Sequence, residues 1–492
     1  TITKPTDNFL PIVYEGNGEG QRVGNFIPFT DTFAVGASCR FDEPDSDSLT
    51  YTPGGAGDTK VGTFSCWMKI GEDAVSINDF VAVFAAGPSA TYRTQIGFDN
   101  NTNALEFAHV ENNVVLTQIT TDRYFSFTDT WFNLVVSWDM DDSTASTRIR
   151  LYVNGVELTN FSTDTREAAG STLYFGSTDV HAISQRGAYA DNFFDGYMAE
   201  VCWVDGTQLT PSSFGETDTS TGRWIPKDPS GLTFGTTGFY LAFASGNDLG
   251  DDTSGNGNDL TENNIDTTNG SNQMYDTPSQ NFATFGLTPF AFNQPTLSVG
   301  NLDMTSSAST NIQIGQSWST NSHFYFEIIW SRADTVRIGI FPADDMSNDY
   351  GVYIAWNAAA VPIVNNNVTT QADVFVSPTN GDVVGVDVNG NSVQFYQNGV
   401  ARGSAEILNP GPVFSNQQYT VIIGSSGSGN DFSCNFGQWR YFDSTTLSLD
   451  SAAGGYFRYS VPTGGKAIQQ DNRDANTAGI TGFSWIKNRD AA

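Results

Sequence analysis

The chain has 492 residues, of which 39% are hydrophobic and 13% aromatic, and it carries a formal net charge of −32. A chain of this length is too long to fold around one hydrophobic core and is expected to form about two to four domains. Its apolar content excludes global disorder. The acidic residues are spread along the whole chain, so its surface repels nucleic-acid phosphates and anionic lipid headgroups. We therefore expect a folded protein with no nucleic-acid partner and no membrane insertion.

The first 28 residues mix apolar and turn-forming residues, and we predict an N-terminal arm over 1–28. They lack the basic and then apolar pattern of a secretory signal, and no run of about eighteen apolar residues occurs in the chain. We therefore expect either that a signal was removed or that the protein leaves its cell by another route, such as lysis.

Residues 29–245 form the first predicted domain, in which short apolar segments recur without helical periodicity between them. The clearest strand signals are 64–68, 81–84, 94–98, 105–108, 132–138 and 149–153. This spacing indicates an antiparallel sandwich, because a parallel sheet needs helices between its strands. Near the domain's end, Thr210 and Pro211 suit a helix N-cap and first helical position, so we predict a short closing helix.

Two distant segments, 135–156 and 383–400, repeat one another. Each consists of an apolar strand, a polar turn, a second strand and an Asn-Gly pair, at 154–155 and at 398–399. Asn-Gly is the strongest short-range signal for a type I′ hairpin, because both central residues take positive φ. The sequence therefore predicts the same sheet element twice.

Residues 246–290 are rich in Asp, Asn, Gly, Ser and Thr, and we predict a linker or long surface loop. Oxygen-bearing side chains alternate within it in a pattern that resembles the start of a calcium loop. The candidate calcium ligands are Asp251, Asp252, Ser254, Asn256 and Asn258. However, the position that needs a bidentate Glu is Asn263, so an Asx-rich turn without an ion is the alternative. We predict that no cofactor is required and that calcium is the one candidate ion.

A second β-rich domain is predicted over 291–445, followed by a C-terminal extension over 446–492. Near its end the extension carries the largely apolar residues 483–486. We expect them to pair with an edge of this chain, to start a further module of a longer precursor, or to be buried between subunits.

Three segments of the first domain resemble the laminin-G, concanavalin-A-like jelly roll. They are the strand at 131–139, the Leu-Tyr-Val-Asn-Gly-Val hairpin at 151–156 and the Asp-Gly-Tyr-Met-Ala-Glu-Val strand at 195–201.

The second domain resembles a SPRY domain in five segments that occur in the expected order. They are 324–330, with aromatic residues in a first strand, 337–341, Gly-Asp-Val-Val-Gly at 381–385, the Phe-Tyr-Gln-Asn-Gly hairpin at 395–399, and Asn-Phe-Gly at 435–437. Together the two resemblances imply an all-β protein with two concanavalin-A-like antiparallel β-sandwich (jelly-roll) domains in tandem.

Catalytic patterns are scarce in the chain. The three histidines lie far apart and form no metal-binding or Cys-His motif. Jelly-roll glycosidases need two carboxylates on one face of a site, yet Glu106 and Glu111, like Glu200 and Asp205, are spaced so that a regular strand turns them to opposite faces. We therefore predict no catalytic residue, although a pair assembled from distant strands stays open.

Glycan recognition needs exposed aromatic rings beside Asp and Asn side chains that hydrogen-bond to sugar hydroxyls. Two predicted loops offer that combination. The candidates are Tyr189, Asp191, Asn192, Phe193, Tyr350 and Trp356. The alternative for each aromatic residue is burial in a core.

The combination of a laminin-G-like module, a SPRY-like module and no export signal resembles structural proteins of tailed bacteriophages. It implies a non-enzymatic virion protein, such as a tail fibre, spike or head-surface protein, that is assembled in the host cytoplasm and released by lysis. Its expected partners are host surface glycans, other virion proteins and further copies of itself. A jelly-roll glycosidase acting on polysaccharides and a secreted cellular adhesin are the alternatives.

Overall fold

The structure is a computed structural model that describes most of the chain beyond residue 32. The described residues are 33–71, 80–99, 102–125, 130–219, 222–286, 295–306, 310–314, 318, 322–331, 336–342, 351–356, 361–376, 379–408, 419–425, 431–442 and 445–472. The predicted N-terminal arm, 1–28, and the apolar end, 483–486, lie outside these residues.

The first sandwich is built from strands β1 to β18. They are β1 Ser38–Phe41, β2 Ser48–Tyr51, β3 Val61–Ile70, β4 Phe80–Ser89, β5 Tyr92–Asp99, β6 Ala104–Glu111, β7 Val114–Tyr124, β8 Phe132–Asp139, β9 Ile149–Val153, β10 Val156–Leu158, β11 Phe161–Thr165, β12 His181–Ile183, β13 Gly196–Asp205, β14 Gly215–Thr217, β15 Trp224–Pro226, β16 Phe239–Leu241, β17 Thr261–Asn263 and β18 Gln273–Met274. A single helical turn, α1, spans Ala145–Arg148.

Two antiparallel sheets face each other in this sandwich. One, here called the junction sheet, has the order β10-β9-β8-β3-β13-β1-β18, and β16 also pairs with β13. The other, the outer sheet, has the order β11-β7-β6-β5-β4-β12-β2-β17. Large aromatic side chains fill the space between them, among them Phe84, Trp138 and Trp203. Burial of these apolar side chains is the main force that stabilises the sandwich.

The second sandwich is built from the later strands. They are β19 Phe285–Gly286, β20 Thr296–Ser298, β21 Asp303–Thr305, β22 Thr310–Ile314, β23 His323–Ser331, β24 Val336–Pro342, β25 Val352–Trp356, β26 Ile363–Asn365, β27 Val368–Gln371, β28 Val383–Asn389, β29 Ser392–Gln397, β30 Val400–Ile407, β31 Tyr419–Ser425 and β32 Asp431–Asn435, followed by β33 Tyr441–Phe442, β34 Thr445–Thr446, β35 Ser448–Asp450 and β36 Gly455–Phe457.

The two sandwiches share one topology. The order β30-β29-β28-β23-β32-β21 in the second repeats β10-β9-β8-β3-β13-β1 in the first, strand for strand along the chain. The facing sheets correspond in the same way, since β27-β26-β25-β24-β31-β22 repeats β7-β6-β5-β4-β12-β2. The prediction of an all-β protein with two antiparallel sandwiches in tandem is confirmed.

Both Asn-Gly pairs form two-residue hairpin turns with positive φ. Asn154 and Asn398 each have φ of 50°, and the glycine that follows each has φ of 77°. The Asn154 side-chain oxygen accepts a hydrogen bond from the Asn133 N–H at 2.8 Å, and Asn398 accepts one from the Val383 N–H at 2.9 Å. The repeat therefore preserves a tertiary hydrogen bond as well as a turn, because each Asn ties its hairpin to the start of the preceding strand.

The predicted closing helix is a single 3₁₀ turn, Pro211–Ser213. Pro211 occupies its first position as predicted, but the Thr210 side chain hydrogen-bonds to Ser212 Oγ and caps no backbone N–H. Thr210 therefore occupies the predicted N-cap position with an extended backbone, but its side chain makes no capping hydrogen bond.

The segment 246–290, expected as a linker or long loop, carries three short strands. Strand β17 pairs with β2 in the outer sheet, β18 pairs with β1 in the junction sheet, and β19 pairs with β22 in the second sandwich. The segment thus pairs with both sandwiches at three points, where its backbone groups complete sheet edges.

The described part of the C-terminal extension pairs within the chain. Its strands β35 and β36 form a hairpin, and Lys466 makes a parallel bridge to Phe324 of β23. The buried Glu327 carboxylate accepts hydrogen bonds from the Arg458 and Tyr459 N–H groups at 2.8 and 2.9 Å. A buried carboxylate needs such donors, so Glu327 fixes the path of this extension over the second sandwich.

The second sandwich packs against the outer face of the junction sheet. Trp67, Tyr197 and Ala199 point away from the first core and belong to the apolar cluster that contains the second core. On the same face, the fully buried Lys69 Nζ lies 2.8 Å from an Asp276 carboxylate oxygen and 2.7 Å from the Phe282 carbonyl oxygen. This ion pair fastens the segment that connects the two sandwiches to the C-terminal end of β3.

Replacing Lys69 with Met tests how much this ion pair contributes to the stability of the fold. The variant leaves the Asp276 charge buried without its cation, so we expect Lys69→Met to lower the free energy of unfolding by about 3–5 kcal/mol. Lys60→Met is the matched control, because Lys60 pairs with Asp141 at the exposed surface and such pairs contribute about 1 kcal/mol or less. Urea unfolding followed by tryptophan fluorescence measures both. An equal effect of the two substitutions would contradict this role for Lys69.

Candidate functional site

An open groove of about 780 Å³ lies on the first sandwich, beside the β17 edge of the outer sheet. Strands β2 and β17 form one side, and the loop that follows β12 forms the other. The lining residues are Ser46, Ser48, Thr50, Tyr51, Thr52, Val180, Gln185, Ala188, Ala190, Phe193, Asp259, Thr261, Asn263 and Asn264. The groove therefore combines many hydroxyl and amide groups with two aromatic rings.

The loop 186–193 brings four of the predicted sugar-binding residues together. Asp191 forms an ion pair with Arg186, and Asn192 accepts a further hydrogen bond from the same guanidinium at 3.0 Å. The Arg186 guanidinium lies 5.9 Å from the centre of the Tyr189 ring, which is 52% exposed. Phe193 lines the groove, whereas Asp191 and Asn192 hold the loop in shape.

The other two predicted sugar-binding residues, Tyr350 and Trp356, come from the second predicted domain, 291–445. Trp356 ends β25 in the second sandwich. Tyr350 lies outside the described residues. The sequence suggested two similar loops, and the structure assigns Trp356 to a different domain from the loop 186–193.

The hydroxyl and amide side of the groove comes from residues that sequence analysis missed. Thr50 of β2 is the direct cross-strand partner of Thr261 of β17. The Asn263 amide nitrogen donates to Thr50 Oγ1 at 3.1 Å, which leaves the Asn263 side-chain oxygen to accept a hydrogen bond from a ligand. These residues lie more than two hundred positions apart, so only the β2–β17 pairing reveals the site.

The Asx-rich loop beside the groove is closed by its own hydrogen bonds. The Asp252 carboxylate accepts four of them, from the Tyr240, Ser254 and Asn258 N–H groups and from the Ser254 hydroxyl, at 2.8 to 2.9 Å. The Asn256 side-chain nitrogen donates to the Gly235 and Gly238 carbonyl oxygens. Asp251 is exposed at the start of the loop. The five predicted calcium ligands thus share one loop. The side chains of Asp252 and Asn256 already form hydrogen bonds with backbone groups.

The same loop positions a wall of the groove. The Tyr51 hydroxyl donates to the Asn258 side-chain oxygen at 2.6 Å. Burial, together with the charges of Asp252 and Asp205, raises the pKa of Tyr51 to about 12, so the hydroxyl keeps its proton at neutral pH. Asp252 therefore acts on the groove through Asn258 and Tyr51. Within the described residues, no three His, Cys, Asp or Glu side chains come together as metal ligands.

Of the four carboxylates considered for glycosidase chemistry, Glu106, Glu200 and Asp205 hold structural hydrogen bonds, whereas Glu111 is exposed at the end of β6. Glu106 accepts from the Gln118 amide and the Thr120 hydroxyl, and Asp205 accepts from three backbone N–H groups. Glu200 lies at a β-bulge with φ of 50°, so β13 is not the regular strand assumed from the sequence. Burial raises the pKa of Glu200 to about 7, and its carboxylate accepts the Tyr240 hydroxyl hydrogen bond.

Residues 44–213 match the family model described as the Concanavalin A-like lectin/glucanases superfamily. Strand β2 and the loop 186–193 lie inside this span, whereas β17 lies beyond it. No curated protein matches the sequence of the chain.

Solved structures with similar folds include domains LG4-5 of the mouse laminin alpha1 chain, at 9% identity, covering 89% of this chain and 98% of that one, with a TM-score of 0.29. The SPRY domain of human HERC1 is similar at 11% identity over 29% of this chain and 91% of its own, with a TM-score of 0.24. A heptameric SAP-like pentraxin from Limulus polyphemus is similar at 12% identity over 37% and 80%, with a TM-score of 0.25.

Replacing Asp252 tests whether the loop is held by its own hydrogen bonds. Asp252→Ala removes the acceptor of four donors, and we expect it to lower the free energy of unfolding by about 1–3 kcal/mol. Asp251→Ala is the control, because that neighbouring side chain is exposed and surface substitutions stay within about 0.5 kcal/mol.

The melting temperatures of the wild-type protein in EDTA and in added Ca²⁺ test separately whether the loop binds calcium. We expect equal values, since the Asp252 carboxylate is already fully hydrogen-bonded. A higher melting temperature in Ca²⁺ that Asp252→Ala abolishes would contradict this account of the loop.

Proposed function

We propose that the chain is a non-enzymatic attachment protein that binds glycans in the groove beside β17. The observation that carries the proposal is the Phe193 side chain at the groove together with hydroxyl and amide groups on β2 and β17, while the Tyr51 ring packs beside His181 and Phe239 of the first core. Aromatic rings pack against the C–H face of a sugar, while hydroxyls and amides exchange hydrogen bonds with its hydroxyls. The match of residues 44–213 to a family of lectins and glucanases supports a sugar ligand.

The absence of catalysis is part of this proposal. A glycosidase needs one free acid and one free carboxylate flanking the bond that it breaks. Of the residues that the structure describes, Asp259 is the one acidic side chain that lines the groove. Glu106, Glu200 and Asp205 are engaged with neighbouring donors, and neither they nor Glu111 line the groove.

We further propose that the protein is a virion component of a tailed bacteriophage, which assembles in the host cytoplasm and is released by lysis. The tandem of two sandwiches and the strongly negative net charge of −32 are compatible with a soluble subunit of a fibre, spike or head surface. In this setting the second sandwich and further copies of the chain contact other virion proteins. Mass spectrometry of purified particles is expected to detect the chain, and its absence from them would contradict this assignment.

Binding of the full chain to an array of immobilised polysaccharides tests the glycan-binding proposal. We expect binding by the wild-type protein and a loss of at least about tenfold in affinity for Phe193→Ala, since a central aromatic contact contributes about 1.5 kcal/mol or more. Tyr124→Ala is the matched control, because Tyr124 is 61% exposed at the end of β7 and does not line the groove.

The same array distinguishes the alternatives. Equal binding by wild-type protein and Phe193→Ala would exclude this groove as the site. Release of soluble oligosaccharides from the array by the wild-type protein would contradict a non-enzymatic role.

A further inference from the structure

We propose that the groove selects uncharged glycans and rejects anionic ones such as uronates and sulfated sugars. This inference rests on the proposed function and adds the chemical class of its ligand. It depends on which groups line the groove, on how the nearest cation is occupied and on the charge of the whole chain.

The polar lining is made of groups that both donate and accept hydrogen bonds. The Ser48 hydroxyl donates to the Gln185 side-chain oxygen, and both side chains are buried. The lining groups open to a ligand therefore include the Thr50 and Thr261 hydroxyls and the Asn263 amide. A sugar hydroxyl also donates and accepts, so it can pair with any of these groups in either direction. A carboxylate or sulfate accepts only, and it is bound well by charged donors. The lining therefore fits a hydroxyl-rich ligand better than an anion.

No Lys or Arg belongs to the described lining of the groove. Arg186, in the adjoining loop, is already paired with Asp191 and donates to Asn192 as well. Its guanidinium also lies over the Tyr189 ring. Drawing Arg186 into the groove to bind an anion would break its ion pair, so the described loop offers no free cation to a charged ligand.

Among the described lining residues, the one charged side chain is negative. Asp259 is exposed at the rim, and one of its carboxylate oxygens accepts the Asp252 N–H hydrogen bond at 3.0 Å. The remaining oxygen can accept from a sugar hydroxyl, but it repels a carboxylate or sulfate brought to the same place. The net charge of −32 adds a repulsive potential around the whole molecule.

The arrangement of the two strands suits a chain of sugars. Thr50 and Thr261 are direct cross-strand partners on one face of the sheet, so their Cβ atoms lie about 4.5–5.5 Å apart. Phe193, in the loop that follows β12, lacks a polar group, so it can only contribute apolar contact to the groove. A neutral sugar in the groove can therefore meet both hydroxyls and an aromatic ring.

Titration calorimetry of the full chain against matched hexasaccharides tests the inference. The neutral probes are maltohexaose, cellohexaose and mannohexaose, and the anionic probes are hexagalacturonate and a hexamer of alginate. We expect at least one neutral probe to bind, and every anionic probe to bind at least about tenfold more weakly in low salt. The difference should shrink in high salt, because salt screens exposed charges.

Two variants assign the effect to the groove. Phe193→Ala should weaken the neutral probe by at least about tenfold, and Tyr124→Ala should leave it unchanged. Asp259→Lys replaces the rim carboxylate by a cation, and it should strengthen the anionic probes relative to the neutral one by about tenfold or more. Unchanged circular dichroism and melting temperature confirm that each variant folds.

The outcomes separate this inference from the function on which it rests. Tighter binding of an anionic probe, lost in Phe193→Ala, would overturn the selection for uncharged glycans while the glycan-binding function stands. Binding that Phe193→Ala leaves unchanged, or no binding of any probe, would overturn both.

Discussion

The buried ion pair between Lys69 and Asp276 constrains the rest of the molecule. Lys69 projects from the outer face of β3, and Asp276 belongs to the segment that connects the sandwiches. Two charges removed from water destabilise a fold unless they meet in good geometry with further hydrogen bonds. Here the Trp131 indole N–H donates to Asp276 at 2.7 Å, and the Lys69 ammonium also donates to Asn281 and to the Phe282 carbonyl. The contact therefore specifies how the second sandwich meets the first, because few other arrangements satisfy both charges.

This contact also determines which face of the first sandwich is available to a ligand. The outer face of the junction sheet is covered by the second sandwich, as the burial of Trp67 and Tyr197 shows. The edge of the outer sheet, with β2 and β17, carries the open groove instead. Strand β17 and Asp276 belong to the same connecting segment, and Asp276 anchors that segment to β3. The junction and the groove are thus parts of one path of the chain, and the Asx-rich loop between β16 and β17 positions Tyr51 through Asn258.

Local signals predicted the fold well and the site only in part. The Asn-Gly pairs specified two hairpins because positive φ is a property of the residues themselves. The loop 186–193 was found because it combines an aromatic residue with Asp and Asn, but Asp191 turned out to bind Arg186. Thr50, Thr261 and Asn263 could not be found, since their proximity depends on a strand pairing between residues far apart in the chain. Lys69 carried a signal that could have been used, because a lysine between Met68 and Ile70 in an apolar strand requires a buried partner.

A crystal structure of the full chain in complex with a neutral hexasaccharide most directly tests the central claim, which is that the groove binds uncharged glycans. The account predicts sugar density between Phe193 and the β2–β17 edge, with ring contact to Phe193 and hydrogen bonds to Thr50 or Asn263. Density on the second sandwich, or elsewhere on the first with the groove empty, would contradict it.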